Sequence, residues 1–408
     1  MTEVANLHAL MVLLVGLTIV LAPLIKALFR RVGVPALVGF LLLGFLLRLA
    51  DTRWHLLRDD VQPAFDLLAN LGLVALLFHV GLRSDLRGLI EKLPTASLVW
   101  IGDVIASAAL GFAAAHALLG LDLIAALVIA AAMTATSVGV SVSVWEDAGL
   151  LGSERGKLLI DVAELDDISG VALMALLFAV MPVLAGGGGD LAGPLASAAG
   201  AFALKLIGFL AFCYLFTRYL EPRITAWARR LEPAPGRMLT VAGLGFCIAA
   251  LAGWLGFSLA VGALFAGLLF SRDPEAVRSE AGFDKLYEFF TPFFFIGIGM
   301  AIEPGALTAG LGLGAVLFVA AAAGKLLGAG GVAALLDGRG AGPALGVSMI
   351  PRAEIAMVIV HQAQLLGPAI VPDAVYAGMV VVSALTCTAA PLVLRPILER
   401  ERTQSPKG

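Results

Sequence analysis

Apolar runs of about 20 residues recur from one end of the chain to the other, separated by short polar or Gly/Pro-rich stretches. A run of that length crosses the hydrocarbon core of a bilayer as a helix, because only a helix satisfies its own backbone groups there. Taking polar and Gly/Pro breaks as loops predicts about thirteen spans. They lie roughly at 7–29, 33–49, 63–82, 95–119, 121–146, 155–184, 192–218, 238–254, 257–271, 284–302, 305–336, 342–364 and 370–399. Some exceed 25 residues, which predicts tilt or extension beyond the bilayer. The fold class predicted is an all-α polytopic membrane protein.

The basic residues orient these spans. With the N-terminus outside and the C-terminus cytoplasmic, most of the 27 Lys and Arg fall in cytoplasmic loops, among them Arg30, Arg31, Arg87, Arg155, Lys157, Arg229, Arg230, Arg272 and Arg339. Arg48, Arg53 and Arg58 fall outside, and Lys205, Lys325 and Arg352 fall inside spans. The glycine-rich stretch AGGGGD (Ala185–Asp190) precedes the seventh span, and the basic stretch Arg218–Arg237 follows it. A single connecting helix between two six-helix halves inverts the second half, which is the inverted-repeat plan of many secondary transporters. A plain helical bundle without symmetry is the alternative.

Composition narrows the class further. Of 408 residues, 60% are hydrophobic and 14% charged, with a mean hydropathy of +0.98. Soluble domains carry about a quarter charged residues, so a water-soluble core is excluded. Cys213, Cys247 and Cys387 sit in apolar runs, with no disulfide framework or metal spacing. The first run continues into further spans, so no cleavable leader is expected.

Against this background the intramembrane charges stand out, since each costs a few kcal/mol even on lenient insertion scales. Asp166 and Asp167 are adjacent in the sixth span. Neighbours on a helix project about 100° apart, so one carboxylate can face an ion path and the other a partner helix. Asp161, Glu164 and Asp167 are spaced by three residues and form an acidic stripe about 9 Å long. That stripe predicts a cytoplasmic funnel beginning at Asp161 and ending at Asp167.

Two spans are interrupted at corresponding places. The fifth holds TATSVGVSVSVW (Thr134–Trp145), and the twelfth holds GVSMIPRAEIAM (Gly346–Met357) with Pro351 inside. Proline donates no hydrogen bond, and the residue before it is pushed out of the helical region. Paired interruptions point to a midplane ion site, built from freed carbonyls and half-helix ends. For either one alone, a kinked helix is the simpler reading. Lys325 lies mid-span and needs an acid, with Asp166 the obvious candidate. Arg352 cannot lose its proton, so it needs an acid or helix-end carbonyls, and Glu164 is the favoured partner over Glu354. Lys205 snorkels, His79 and His361 are packed, and Asp103 has no assigned place.

These residues also carry a resemblance. Thr134–Leu173, with its ATS-type break followed by Asp-Asp, resembles the second monovalent cation:proton antiporter family. GVPALVGFLLLG (Gly33–Gly44), LGLVALLFHVGLRSDL (Leu71–Leu86) and MIPRAEIAMV (Met349–Val358) are similar to other signatures of that family, in its order. The resemblance implies thirteen helices, a homodimer in membrane lipid, and two domains that move in an elevator-type shift. It implies a scaffold and dimerisation domain at 7–82 and 238–303, and a core transport domain at 95–184 and 305–399. A connecting helix at 192–218 and a cytoplasmic tail at 400–408 complete it.

The resemblance further implies that Asp167 binds Na⁺ or a proton, that Asp166 pairs with Lys325, and that Thr136 and Ser137 line the ion site. Lys325, Arg352, Glu164 and Glu354 are the expected charge-compensating residues. Glu164 and Asp161 stand where relatives are usually apolar or small, and the chain ends at Gly408 without the regulatory domain of the potassium-efflux branch. The expectation is therefore a bacterial inner-membrane antiporter exchanging Na⁺, Li⁺ or K⁺ for protons, electrogenic if Lys325 releases a proton when Asp166 is exposed. Neither an enzyme, a cofactor nor a nucleic-acid partner is expected. A K⁺/H⁺ antiporter is the near alternative. A Na⁺-coupled solute symporter, a cation channel and an intramembrane aspartyl protease are the rivals from other classes.

Overall fold

The computed structural model describes residues 2–32, 34–54, 62–83, 93–185, 192–220, 223–224, 226, 237–271, 280–338 and 340–404. Gly33, the linker residues Gly186–Asp190, the loop cations Arg58, Arg87, Lys92, Arg229, Arg230, Arg272, Arg278, Arg339 and Lys407, and the tail from 405 lie outside the described residues.

Among the described residues the structure is helical, without strands. In chain order the helices are α1 (Thr2–Arg31), α2 (Ala36–Trp54), α3 (Gln62–Arg83), α4 (Leu93–Phe112), α5 (Leu123–Thr134), α6 (Val138–Asp147), α7 (Glu154–Ala185) and α8 (Ala192–Leu215). They continue with α9 (Arg237–Trp254), α10 (Leu259–Phe270), α11 (Glu280–Met300), α12 (Leu307–Lys325), α13 (Gly331–Asp337), α14 (Ala341–Ser348), α15 (Glu354–Gln364) and α16 (Asp373–Gln404). Eight helical stretches of the described residues are long and apolar enough to cross a membrane, and α9 and α10 contribute shorter apolar helices. Many large apolar side chains are exposed, among them Val12, Leu204, Ile207, Leu239, Leu327 and Leu335. In water such a surface would drive aggregation, whereas in lipid it meets a solvent as apolar as itself.

The chain divides into two compact units. The first comprises 1–22, 53–88 and 175–297. Its helices α3 and α10 approach closely because a side chain on Gly81 or Gly267 would collide with the facing backbone. His79 of this unit is buried and stacks on Tyr287, with ring centroids 4.5 Å apart.

The second unit comprises 23–52, 89–174 and 298–408. Here α12 packs along α16 and α4, α5 packs on α4 and α15, and α6 packs on α16. Its apolar core gathers Val99, Val144, Trp145, Leu159, Leu345 and Leu394. Most buried polar side chains of the described residues are in this unit, including Asp103, Thr134, Thr136, Ser137, Asp166, Lys325 and Arg352.

Candidate functional site

Both expected interruptions are present in the second unit, and they meet. The first lies at 135–137, between α5 and α6, with Ala135 extended at φ −66°, ψ 147°. Gly139 lies within α6. The second falls between α14 and α15, where Pro351 cannot donate to a helical ladder. The freed amide of Ser137 donates to the freed carbonyl of Pro351 at 2.8 Å. Other backbone groups freed by the breaks find side chains: Ser141 Oγ donates to the Ser348 carbonyl at 2.6 Å, and Thr386 Oγ1 accepts the Arg352 amide at 3.1 Å. These bonds satisfy part of the backbone that the breaks release, as irregular backbone at membrane depth requires.

Lys325 reaches this crossing from the end of α12 and is fully buried. Its Nζ donates to Asp166 Oδ2 at 2.7 Å, to the Thr134 carbonyl at 2.7 Å, and to Asp103 Oδ2. An ammonium has three N–H groups, and here each has an acceptor. Asp103 and Asp166 are likewise fully buried. Asp103, which the sequence leaves without a place, is thus the second acid on the lysine.

The approach that allows this is written in small residues. A Cβ on Gly328 would stand 2.7 Å from the Asp103 Cα and from the Gly102 carbonyl oxygen. One on Gly324 would stand 2.9 Å from the Ser107 Cα. Glycine spacing brings α4 and α12 to backbone contact, as in small-residue membrane interfaces. A π-helical stretch, Leu326–Gly330, follows Lys325 directly. The continuous span expected over 305–336 is therefore locally rewound beside the charge, a common feature of functional sites.

The two hydroxyls of the first break face different acids. Thr136 Oγ1 donates to Asp166 Oδ2 at 2.7 Å, whereas Ser137 Oγ donates to Glu354 Oε2 at 2.5 Å. Asp166 is fully buried while its neighbour Asp167 is half-buried, as their angular separation on α7 requires.

The pairing of Arg352 with Glu164 is corrected by the structure. The buried Arg352 guanidinium donates to the carbonyls of Ala135 at 2.7 Å and Ala321 at 3.3 Å. The break itself supplies the reason: Ala135 is released from its helix and offers a carbonyl that accepts a guanidinium N–H at short range. Glu164 and Asp161 are both half-buried on α7. Asp161 lines a cavity of about 500 Å³ with Thr95, Leu158 and Asp337. At its rim Arg155 bridges Asp337 at 2.7 Å and Glu401 at 3.1 Å. No group of three or more His, Cys, Asp or Glu side chains among the described residues is placed to hold a metal ion.

The family model described as the transmembrane sodium/hydrogen exchanger matches residues 16–400. A high-affinity Na⁺/H⁺ antiporter of Synechocystis, NhaS3, is 27% identical over 83% of this chain and 72% of its own. A Na⁺/H⁺ antiporter of Enterococcus hirae is 25% identical over 90% of this chain and 92% of its own. The Na⁺/H⁺-K⁺ antiporter GerN of Bacillus cereus is 25% identical over 90% of each. The solved sodium/proton antiporter MjNhaP1 of Methanocaldococcus jannaschii shares the fold with a TM-score of 0.67, covering 98% of this chain and 99% of its own at 14% identity.

Proposed function

This chain belongs to the transmembrane sodium/hydrogen exchanger family, a multi-pass membrane cation:proton antiporter, and from that premise we propose that Na⁺ is the cation it exchanges. The observation that carries the site assignment is the half-buried Asp167 beside the crossing of the two breaks, next to an Asp103–Lys325–Asp166 cluster in which all three ammonium donors are engaged. Asp167 holds either a proton or a dehydrated Na⁺, since the same lone pairs serve both. Ser137 stands ready to add an oxygen ligand, and oxygen donors suit a hard cation. Thr136 serves the neighbouring cluster by bonding Asp166.

Transport follows if the loaded and protonated forms cross the membrane while the empty, charged form does not. In this reading thirteen helices form two inverted repeats. The core at 95–184 and 305–399 shifts elevator-fashion in a homodimer whose scaffold is 7–82 and 238–303, with 192–218 connecting them. The chain sits in a bacterial inner membrane with its N-terminus outside, and moves net charge in each cycle. The collection of buried charges in one compact unit supports a body that carries the site.

Li⁺ and K⁺ are the competing cargoes, and the printed name of the Bacillus cereus relative includes K⁺. Reconstitution in proteoliposomes with a trapped pH dye, titrated with NaCl, LiCl and KCl, decides between them. A Na⁺ response without added solute supports the reading and excludes a solute symporter. A response to K⁺ alone makes the protein a K⁺/H⁺ antiporter.

A further inference from the structure

We propose that Ser141, Trp145 and Ser348 are positioning residues for the cation site: they clamp the half-helix α6 to the end of α14 and so fix where Ser137 holds its hydroxyl. Resting on the antiport reading above, the clamp is what shapes that site for one cation rather than another.

Ser137, Ser141 and Trp145 are spaced by four residues, so they stand one above another on a single face of α6. Each meets the segment that ends α14. The Ser137 amide donates to the Pro351 carbonyl at 2.8 Å, Ser141 Oγ to the Ser348 carbonyl at 2.6 Å, and Trp145 Nε1 to Ser348 Oγ at 2.8 Å. The Ser348 hydroxyl donates in turn to the Ala344 carbonyl at 2.6 Å. An indole has one donor and no acceptor, so Trp145 is satisfied only where Ser348 stands. The side chains of Ser141, Trp145 and Ser348 are fully buried. Trp145 also belongs to the apolar core that holds Leu159 of α7, Leu345 of α14 and Leu394 of α16. An indole so enclosed cannot slide along α14 without stranding its N–H.

The clamp matters to the site because of how Ser137 spends its side chain. It stands at the N-cap of α6, where a serine ordinarily accepts an amide of the first turn, yet its hydroxyl makes no capping bond. It donates to Glu354 across the crossing instead. The start of α6 is therefore held by the Pro351 carbonyl and, one and two turns on, by the two bonds to Ser348. A shift of α6 along α14 moves the Ser137 oxygen, and Thr136 beside it, relative to the acids. Selection among cations turns on the size of the cage, the number of its oxygens and its rigidity. A loosened hydroxyl binds Li⁺, Na⁺ and K⁺ less well, and by unequal amounts because their radii differ. None of the three clamp residues has to touch the ion for this effect.

The test is dequenching of a trapped pH dye in proteoliposomes, titrated with NaCl, LiCl and KCl, alongside melting temperatures in detergent. Trp145→Phe, Ser348→Ala and Ser141→Ala should each raise the apparent KM for Na⁺ by roughly three- to tenfold, the worth of one buried hydrogen bond. Maximal rate should change little, and the ratio of the KM values for Na⁺ and Li⁺ should shift. Ser141→Thr keeps the hydroxyl and should restore both. Trp145→Phe combined with Ser348→Ala removes donor and acceptor together, and should cost no more than Ser348→Ala alone. Ser143 spends its hydroxyl on the Val140 carbonyl of its own helix, so Ser143→Ala should behave like wild type. Should Ser348→Ala not fold, Trp145→Phe and Ser141→Ala carry the same test. Lowered melting temperatures with KM and cation ratio unchanged would make the clamp merely structural and overturn the proposal. The antiport reading then still stands if wild type exchanges Na⁺ and Asp167→Asn does not. Wild type without any cation-dependent exchange overturns that reading itself.

Discussion

The Lys325 ammonium is held against Asp103, a carboxylate 222 residues earlier in the chain, on a helix brought into backbone contact by glycines. Asp103 and Asp166 share the one lysine from opposite neighbours, so removing either acid unbalances the other partners. Removing one member of a buried pair typically costs about 3–5 kcal/mol. Asp103→Asn should therefore lower the melting temperature in detergent, and Lys325→Ala should lower it further by leaving two acids facing each other. Combining them should cost less than the sum, because each removes part of the same interaction. Additive losses would show that Asp103 and Lys325 act separately.

The close approach of α4 and α12 has its own consequence. Gly328 and Gly312 both lie on the Leu307–Asp337 stretch, but a Cβ at Gly328 meets backbone while one at Gly312 meets nothing within 4 Å. Gly328→Ala should destabilise by about 1–3 kcal/mol, the usual cost of overpacking. It should also weaken exchange by moving Asp103 off Lys325. Gly312→Ala serves as the control and should melt and transport like wild type. Equal behaviour of the two variants would contradict the contact.

The Arg352 guanidinium donates to the carbonyls of Ala135 and Ala321, so Glu164 is not its partner. Glu164 lies about 4.5 Å along α7 from Asp167, one turn toward Asp161. As an electrostatic lure it concentrates cations near the site. Glu164→Gln should raise the apparent KM for Na⁺ with little change in maximal rate, and the difference should shrink as ionic strength rises. A fall in maximal rate and stability without salt dependence would return Glu164 to a structural role.

Much of the site is legible from sequence because membrane insertion makes each charge an anomaly. Asp166, Lys325 and the Pro351 interruption announce themselves in apolar runs, and the structure brings all of them to one crossing. Three features are not legible. Asp103 is a lone acid whose partner depends on which helix face meets Lys325, and that is set by Gly324 and Gly328 on another helix. The destination of Arg352 depends on which carbonyls a break releases, so a nearby acid is a tempting but mistaken partner. The division of labour between Thr136 and Ser137 depends on half-helix directions, which send adjacent hydroxyls to Asp166 and to Glu354. In each case the missing information is the relative placement of two elements, whereas the anomalous residues themselves are local signals.

The account stands most directly on Asp167. An amide there neither carries a proton nor balances a bound cation, while its size and its place on α7 are unchanged. In proteoliposomes carrying a trapped pH dye, wild type should show Na⁺-dependent dequenching. Asp167→Asn, reconstituted at the same density and melting like wild type, should show none. Dequenching of wild-type size in Asp167→Asn would contradict the account.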